Sequence, residues 1–204
     1  GIDAERFSQL GSISGNDCVQ NFDTPDGPER IQNWLTMAMN YTLQRSAAPG
    51  NPVFNSEDHI IPDGYARFVP GAHIRTVYWT QALYGQGAAT TWVWERQQEG
   101  DFSENILTRA HCVRELGRVA LDLNRFAPEM AALQNRKADV AILYAFSSLL
   151  PSQDFTKEAA AAFEGLSFAG VACDFVTERQ AAAGALGRYK LVIAPQTSHI
   201  PDAV

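Results

Sequence analysis

The chain has 204 residues, of which 46% are hydrophobic and 19% are charged, and its formal net charge is -7. This composition is typical of a globular protein with a sizeable core, and the acidic balance argues against a nucleic-acid surface, which needs clustered Lys and Arg. No stretch approaches the roughly 20 apolar residues of a membrane-spanning helix, so we expect neither nucleic acid nor a membrane as a partner.

The first third of the chain predicts a strand, a helix and a second strand. Asp17–Phe22 has the pattern of a short strand, and a loop rich in turn-forming residues follows it as far as Pro28. From Glu29 to Ser46 apolar residues recur every three or four positions, which predicts an amphipathic helix. The stretch Pro52–Glu57 then predicts a strand that ends at a carboxylate.

The middle of the chain continues this alternation. The segment Ile60–Pro70 contains two prolines and a glycine and is a candidate active-site loop. Helical spacing predicts a helix over Gly71–Tyr84, and Ala88–Trp94 is rich in strand-forming residues. Ser103 is the expected N-cap of a long helix that reaches about Phe126, where Pro128 either breaks it or begins a further helical turn. The residues at helical spacing in the helix predicted at 71–84 are Ile74, Val77, Tyr78, Gln81 and Ala82.

The last third predicts a parallel sheet. Ala138–Tyr144 is a nearly continuous apolar run, typical of a strand buried on both faces. The segments that follow it read as helix, strand, helix and strand: Thr156–Gly165, Gly170–Val176, Thr177–Leu186 and Tyr189–Pro195. Three strands that alternate with helices over short loops predict part of a doubly wound sheet.

The predicted fold is therefore α/β with two partial units. Residues 1–127 hold about three β/α units, which are too few to close a (β/α)₈ barrel and would be its last strands and helices. Residues 136–204 hold half of a flavodoxin-like doubly wound sheet.

Glu57 and two tryptophans are the main candidates for chemistry. Catalytic groups of a (β/α)₈ barrel lie at the C-terminal ends of its strands, where we expect Glu57. A carboxylate there can attack an anomeric carbon if a second carboxyl, about 5 Å away, protonates the leaving oxygen. Trp92 and Trp94 are two apart and point to one side of a strand, so they can wall a sugar site. The alternatives are a surface glutamate that caps a loop and, chiefly for Trp92, core packing.

Residues that commonly bind metals and cofactors are scattered. His59 follows Glu57 by two residues and can contact substrate or order the loop, but no histidines have metal-ligand spacing. The three cysteines lie far apart, which favours buried free thiols. The segment Tyr144–Ser148, where a flavodoxin-like protein would bind phosphate, lacks glycine and predicts an ordinary loop. We therefore expect no metal and no cofactor.

The order of these motifs resembles a known enzyme family. Pro52-Val53-Phe54-Asn55-Ser56-Glu57, a helix, and then Gly87-Ala88-Ala89-Thr90-Thr91-Trp92-Val93-Trp94 resemble the seventh and eighth β/α units of a clan A glycoside hydrolase. The helix Ser103–Phe126 leading into Lys137–Tyr144 resembles the passage from the barrel to the middle domain in the family 42 β-galactosidases. That middle domain is a flavodoxin-like module known for trimerisation, without a cofactor.

The resemblance implies retaining hydrolysis of β-galactosides or related glycans, with Glu57 as the nucleophile. It implies that Trp94 lines the subsite of the cleaved sugar and that Asp17–Asn21 matches the sixth barrel strand, with Asn21 beside the carbohydrate substrate. The acid/base glutamate of the family follows an asparagine, and no Asn-Glu pair exists in this sequence. The cysteine cluster that binds zinc in some members is also missing.

Two hypotheses of different classes follow. In the first, the chain is a segment of a glycosidase that is inactive alone, and the missing barrel half comes from the same or another chain. In the second, it is a non-catalytic oligomerisation or carbohydrate-binding module. We expect a homo-oligomer in either case. A flavin or nucleotide binder is a third and weaker alternative.

Overall fold

The structure is a computed structural model that describes residues 3–19, 29–95, 99–100, 103–152 and 154–204, with side chains from residue 34 onwards in the second range. The helices are α1 (Ala4–Gln9), α2 (Glu29–Ala47), α3 (Gly71–Tyr84), α4 (Ala110–Arg125), α5 (Ala127–Gln134), α6 (Phe146–Leu149), α7 (Asp154–Phe168) and α8 (Glu178–Ala182). The strands are β1 (Ser14–Asn16), β2 (Val53–His59), β3 (Gln86–Trp92), β4 (Val140–Tyr144), β5 (Cys173–Thr177) and β6 (Leu191–Ile193).

The chain divides into two compact units. The barrel unit comprises residues 15–41 and 52–136, and the sheet unit comprises residues 1–14, 42–51 and 137–204. The domain boundaries expected from the sequence, at residues 127 and 136, stay a prediction. None of the described helices is long and apolar enough to cross a membrane.

The barrel unit is built on a sheet with the strand order β1-β2-β3. β2 and β3 pair in parallel and are connected by α3, which also packs against α4. The five residues of α3 identified by their helical spacing are all buried, and Gly85 ends the helix with a φ of 123° that favours glycine. The core of this unit consists mainly of aliphatic side chains, which include Ile60, Val69, Ile74, Val77, Ile106 and Val119.

Several element ends in the barrel unit differ from the predictions. β2 runs on to His59, and β3 ends at Trp92 rather than Trp94, because the parallel ladder that joins the two strands ends at the pair His59 and Trp92. Of the strand predicted at 17–22, residues 20–22 lie outside the described residues, and Val19 forms a parallel bridge with His59. A short strand, β1, lies just before the predicted one.

The long helix predicted from Ser103 also starts later. Asn105 accepts a hydrogen bond from the Leu107 N–H at 2.9 Å, which caps a 3₁₀ turn at Ile106–Thr108. Arg109 then has non-helical φ and ψ angles of -117° and 80°, so the α-helix begins only at Ala110. Pro128 lies in the first turn of α5, where a proline costs no backbone hydrogen bond.

The sheet unit has three parallel strands in the order β5-β4-β6. The first strand in sequence therefore lies between the second and the third, as in a doubly wound sheet. All five residues of the central strand β4 are buried, as the apolar run predicted. Cys18, Cys112 and Cys173 are buried thiols and none forms a disulfide in the described part of the chain, in agreement with the sequence prediction.

Two details of the sheet unit depart from the sequence prediction. The loop after β4 contains the short helix α6. The helix predicted over 177–186 ends at Ala182, because Gly184 adopts the left-handed conformation with a φ of 88° and a 3₁₀ turn follows. Thr177 and Gln180 form a capping box that fixes the start of α8.

Candidate active site

The C-terminal end of β2 carries the candidate nucleophile on an irregular strand. Asn55 pairs with Ala89 and Asp58 pairs with Thr91, so β2 advances by three residues while β3 advances by two. This extra residue is a β-bulge, a feature that re-aims side chains and is common beside active sites. As a result Asn55 and Asp58 are both buried, whereas the Glu57 side chain between them is 48% exposed.

Asn55 fixes the backbone at this position. Its Oδ1 accepts hydrogen bonds from the N–H groups of Cys18 at 3.2 Å and Glu57 at 3.3 Å. Its Nδ2 donates to the Cys18 carbonyl, the Tyr41 hydroxyl and Asp58 Oδ1 at distances between 2.9 and 3.0 Å. A fully buried amide with this many partners holds the segment after β1 against β2 and orients the Glu57 backbone.

Two further ionisable groups lie around the Glu57 carboxylate. His59 Nε2 is 3.6 Å from Glu57 Oε2 and 3.8 Å from Asp17 Oδ1. One possible metal-ligating atom from each of these three side chains lies within 4.8 Å of the other two, and carboxylates and imidazole are ligands for zinc and related metals. Exposed acidic groups are common at such distances without an ion, so the expectation of no metal stays a prediction.

Trp92 forms the aromatic side of the site. Its ring centroid is 5.2 Å from that of His59, with 31° between the planes. Its indole N–H donates to Asp63 Oδ1 at 3.2 Å, and the peptide bond to Val93 is cis. Trp94 lies beyond the end of β3 and is 55% exposed, so the two-residue alternation used to place both tryptophans on one side of a strand does not apply to it.

Asp58 is a buried carboxyl directly beside the candidate nucleophile. Its Oδ1 accepts hydrogen bonds from Gln81 Nε2 at 2.7 Å and Asn55 Nδ2 at 3.0 Å. Burial raises the pKa of Asp58 from its ordinary value of 3.8 to about 7, and the hydrogen bonds only partly oppose this effect. Asp58 therefore holds a proton over much of the range in which an exposed carboxyl is ionised.

The structure brings together Glu57, His59 and Trp92, leaves Trp94 exposed beyond the end of β3, and leaves Asn21 outside the described residues. The sequence reasoning missed several polar groups of this region: Asp17, Asn55, Asp58 and Asp63. Asn55 lay inside the predicted strand and Asp58 just after it, but the register shift that buries both depends on pairing with β3. Asp63 and Asp17 had no local signal, because their partners are distant in sequence.

The loop after β4 in the sheet unit has a different character. Glu178 Oε1 accepts a hydrogen bond from the Ser147 N–H and Oε2 accepts one from the Ser147 hydroxyl, both at 3.0 Å. Ser148 Oγ donates to the His199 carbonyl at 2.6 Å and accepts from its N–H at 2.9 Å. The polar groups where a flavodoxin-like protein would bind phosphate are thus bonded to the protein itself.

Comparison with known proteins supports the fold. No protein-family model matches the sequence, and no curated protein matches it significantly. Among solved structures, an exo-carrageenase of glycoside hydrolase family 42 (GH42) from Bacteroides ovatus is similar with a TM-score of 0.83 and 21% identity, over 99% of this chain and 29% of that one.

Two β-galactosidases extend the likeness. A catalytic mutant of a GH42 β-galactosidase from G. stearothermophilus has a TM-score of 0.70 at 16% identity, covering 95% of this chain and 30% of that one. A β-galactosidase from a Rahnella species has a TM-score of 0.66 at 18% identity, and the match covers 94% of this chain and 30% of that one. These structures confirm the predicted fold class and show that the resemblance to family 42 is a similarity of fold. This chain spans about 30% of the length of those proteins.

Proposed function

We propose that this chain is a segment of a retaining glycoside hydrolase that acts on β-galactosides or related glycans, with Glu57 as the nucleophile. The observation that carries the proposal is the position of Glu57, His59 and Trp92 at the C-terminal ends of two neighbouring parallel strands. The GH42 structures of like fold, an exo-carrageenase and β-galactosidases, support the choice of galactose-containing glycans.

The reaction has two steps. A carboxylate oxygen of Glu57 attacks the anomeric carbon while an acid protonates the glycosidic oxygen, so that the bond to the leaving sugar breaks. Water then attacks the same carbon and gives its proton to the former acid, and the bond to Glu57 breaks. This chain supplies the nucleophile. The acid/base glutamate lies outside this chain, at about 5 Å from Glu57 in the assembled site.

The neighbours of Glu57 have supporting roles. Asn55 fixes its backbone, and His59, 3.6 Å from Oε2, orients the carboxylate. The Trp92 ring offers an apolar face to the C–H side of a sugar. Trp94, half exposed beyond the strand end, extends this wall.

The rest of the barrel is the partner that this proposal requires. In the described part of the sheet, β1 and β3 are the outer strands of the order β1-β2-β3, and each has one edge available for pairing. A barrel is closed only when every strand is paired on both sides. We propose that the remaining strands come from the same or another chain and bring the acid/base group with them. The sheet unit would then serve oligomerisation.

A covalent inhibitor tests the proposal. The protein that carries this segment would be incubated with an activated 2-deoxy-2-fluoro-β-galactoside, whose fluorine slows the second step and leaves the sugar on the nucleophile. We expect the label on the tryptic peptide of residues 46–67, and fragmentation should assign it to Glu57 rather than to Asp58 or Asp63.

The same protein would be assayed with a chromogenic β-galactoside and with a carrageenan oligosaccharide, and the anomer of the first product would be followed by NMR. A retained anomer agrees with the two-step reaction, and an inverted one contradicts it. Sugar binding without hydrolysis or labelling would instead support the non-catalytic carbohydrate-binding module.

A further inference from the structure

The loop between β2 and α3 is anchored in the core of the barrel unit. Ile60, Ile61 and Val69 are at most 3% exposed and belong to the same apolar cluster as the buried face of α3. His73 Nε2 lies 2.8 Å from the Ile60 carbonyl, and His111 Nε2 lies 2.7 Å from the Val69 carbonyl. Both ends of the loop are therefore fixed, so we expect it to be a rigid part of the site rather than a mobile lid.

Arg109 fixes the middle of this loop. Its side chain is only 8% exposed, and its guanidinium donates to the carbonyls of Tyr65 and, at 2.7 Å, of Arg67. The same group donates to the Glu104 carbonyl at 3.2 and 3.3 Å and lies 3.8 Å from the Glu104 carboxylate. A guanidinium is well suited to this task, since its donors point in several fixed directions.

Residues 103 and 104 take part in the same set of contacts. Gly64 donates its backbone N–H to the Ser103 carbonyl at 3.1 Å, so residue 103 is also bonded directly to the loop between β2 and α3. Glu104 adopts a φ of 55°, a left-handed conformation that a residue with a side chain keeps only where its surroundings impose it. The contacts of Arg109 with Glu104 supply that constraint. The loop between β2 and α3 and residues 103–104 are thus bonded to each other both directly and through Arg109.

The loop between β2 and α3 carries a residue of the candidate site. Asp63 lies one residue before Gly64, and its carboxylate holds the Trp92 indole at 3.2 Å. On the basis of the proposed function, we infer that Arg109 is a positioning residue that latches the loop of residues 60–70, so that Asp63 holds Trp92 as a rigid wall of the sugar subsite. Arg109 affects substrate affinity through this wall and takes no part in bond breaking.

The latch is tested in the protein that carries this segment by Arg109→Lys, which keeps the charge but cannot reach several carbonyls at once. Hydrogen exchange at the amides of Gly64 and Tyr65 reports the loop, and KM and kcat for a chromogenic β-galactoside report the site. We expect exchange to accelerate by about tenfold and KM to rise by about tenfold, with kcat changed by less than about twofold.

Two further variants separate the loop from the wall. Asp63→Asn weakens the hold on Trp92 without loosening the latch, so it should raise KM and leave exchange unchanged. Arg114→Lys is the matched control, because Arg114 lies on α4 with a 63% exposed side chain, and it should change neither quantity.

Unchanged exchange in Arg109→Lys would overturn the latch, and faster exchange with an unchanged KM would overturn its role in the subsite. An unchanged KM in Asp63→Asn would overturn the role of Asp63 even if Arg109→Lys failed to fold. If the wild-type protein protected the Gly64 and Tyr65 amides but did not hydrolyse the substrate, the proposed function and the predicted KM changes would be wrong. The hydrogen-exchange data would still show whether Arg109 fixes the loop.

Discussion

The two units place acidic residues at the ends of parallel strands and use them in opposite ways. In the barrel unit Glu57 stands at the end of β2 with a side chain that is 48% exposed. In the sheet unit Glu178 directly follows β5, and both of its oxygens accept hydrogen bonds from Ser147. A position at a strand end is therefore not enough to make a carboxylate part of a site. The carboxylate must also be left available by the residues around it.

The largest effect should come from removing the available carboxylate. Glu57→Gln, in the complete enzyme, should lower kcat by about 10⁴-fold or more, equivalent to about 5 kcal/mol, because an amide cannot form the glycosyl-enzyme. Substrate binding should persist, as calorimetry with a galactoside would show. Glu99→Gln, an exposed change in the same unit, is the control. Near-normal turnover in Glu57→Gln would refute the assignment.

The next effect concerns the buried carboxyl beside it. Because the folded-state pKa of Asp58, about 7, is above its ordinary value of 3.8, the folded protein binds this proton more tightly than the unfolded chain. The free energy of unfolding should therefore fall as pH rises from about 4 to about 7, by an amount on the order of 4 kcal/mol from this group alone. Above that range its contribution should be constant.

Asp58→Asn should remove this pH dependence and raise the stability at pH 8, as measured by urea unfolding at several pH values. Asp139→Asn, which changes an exposed aspartate of the sheet unit, should leave the slope unchanged. The same slope in Asp58→Asn as in the wild type would show that Asp58 does not titrate in this range.

A smaller effect should follow in the sheet unit. Glu178→Ala removes the acceptor of two hydrogen bonds and leaves the Ser147 N–H without it, which should cost about 2 kcal/mol of stability. Hydrolysis should be unaffected in the intact enzyme at temperatures below unfolding. Glu158→Ala, on the exposed face of α7, serves as the control in urea unfolding. A loss of turnover without a loss of stability would contradict a purely structural role of Glu178.

The smallest effect should distinguish the two tryptophans. Trp92→Ala should lower kcat/KM by about tenfold, equivalent to about 1.4 kcal/mol, because Trp92 lies against His59 and is held by Asp63. Trp94→Ala should have a lesser effect, since Trp94 lies beyond the strand. The reverse order in steady-state kinetics would restore the interpretation that favoured Trp94.

Local patterns predicted much of this fold. The helix at 71–84 was predicted with its bounds and its five buried positions, because a helical period is carried by residues three and four apart. The burial of β4 followed from its unbroken apolar run. Glu57 lies in the last three residues of β2, although the strand runs two residues further than predicted, and its selection as a site residue stays a prediction.

The parts of the site that escaped prediction depend on distant contacts. The bulge that buries both Asn55 and Asp58 arises from the register between β2 and β3, and the sequence of β2 alone predicts strict alternation. The bond from Trp92 to Asp63 joins residues 29 positions apart, and those from Arg109 to the loop span more than 40. No local pattern encodes such pairs.

The sequence by itself determined two partial α/β units, the doubly wound order of the second unit and a carboxylate at a strand end in the first. These features follow from side-chain periodicity and chain order, which are local properties. Only the tertiary structure decided which strand-end groups are available and which are bonded internally. Pairing register and long-range hydrogen bonds set that difference: they leave Glu57 exposed, bury Asp58 and bind the Glu178 carboxylate to Ser147.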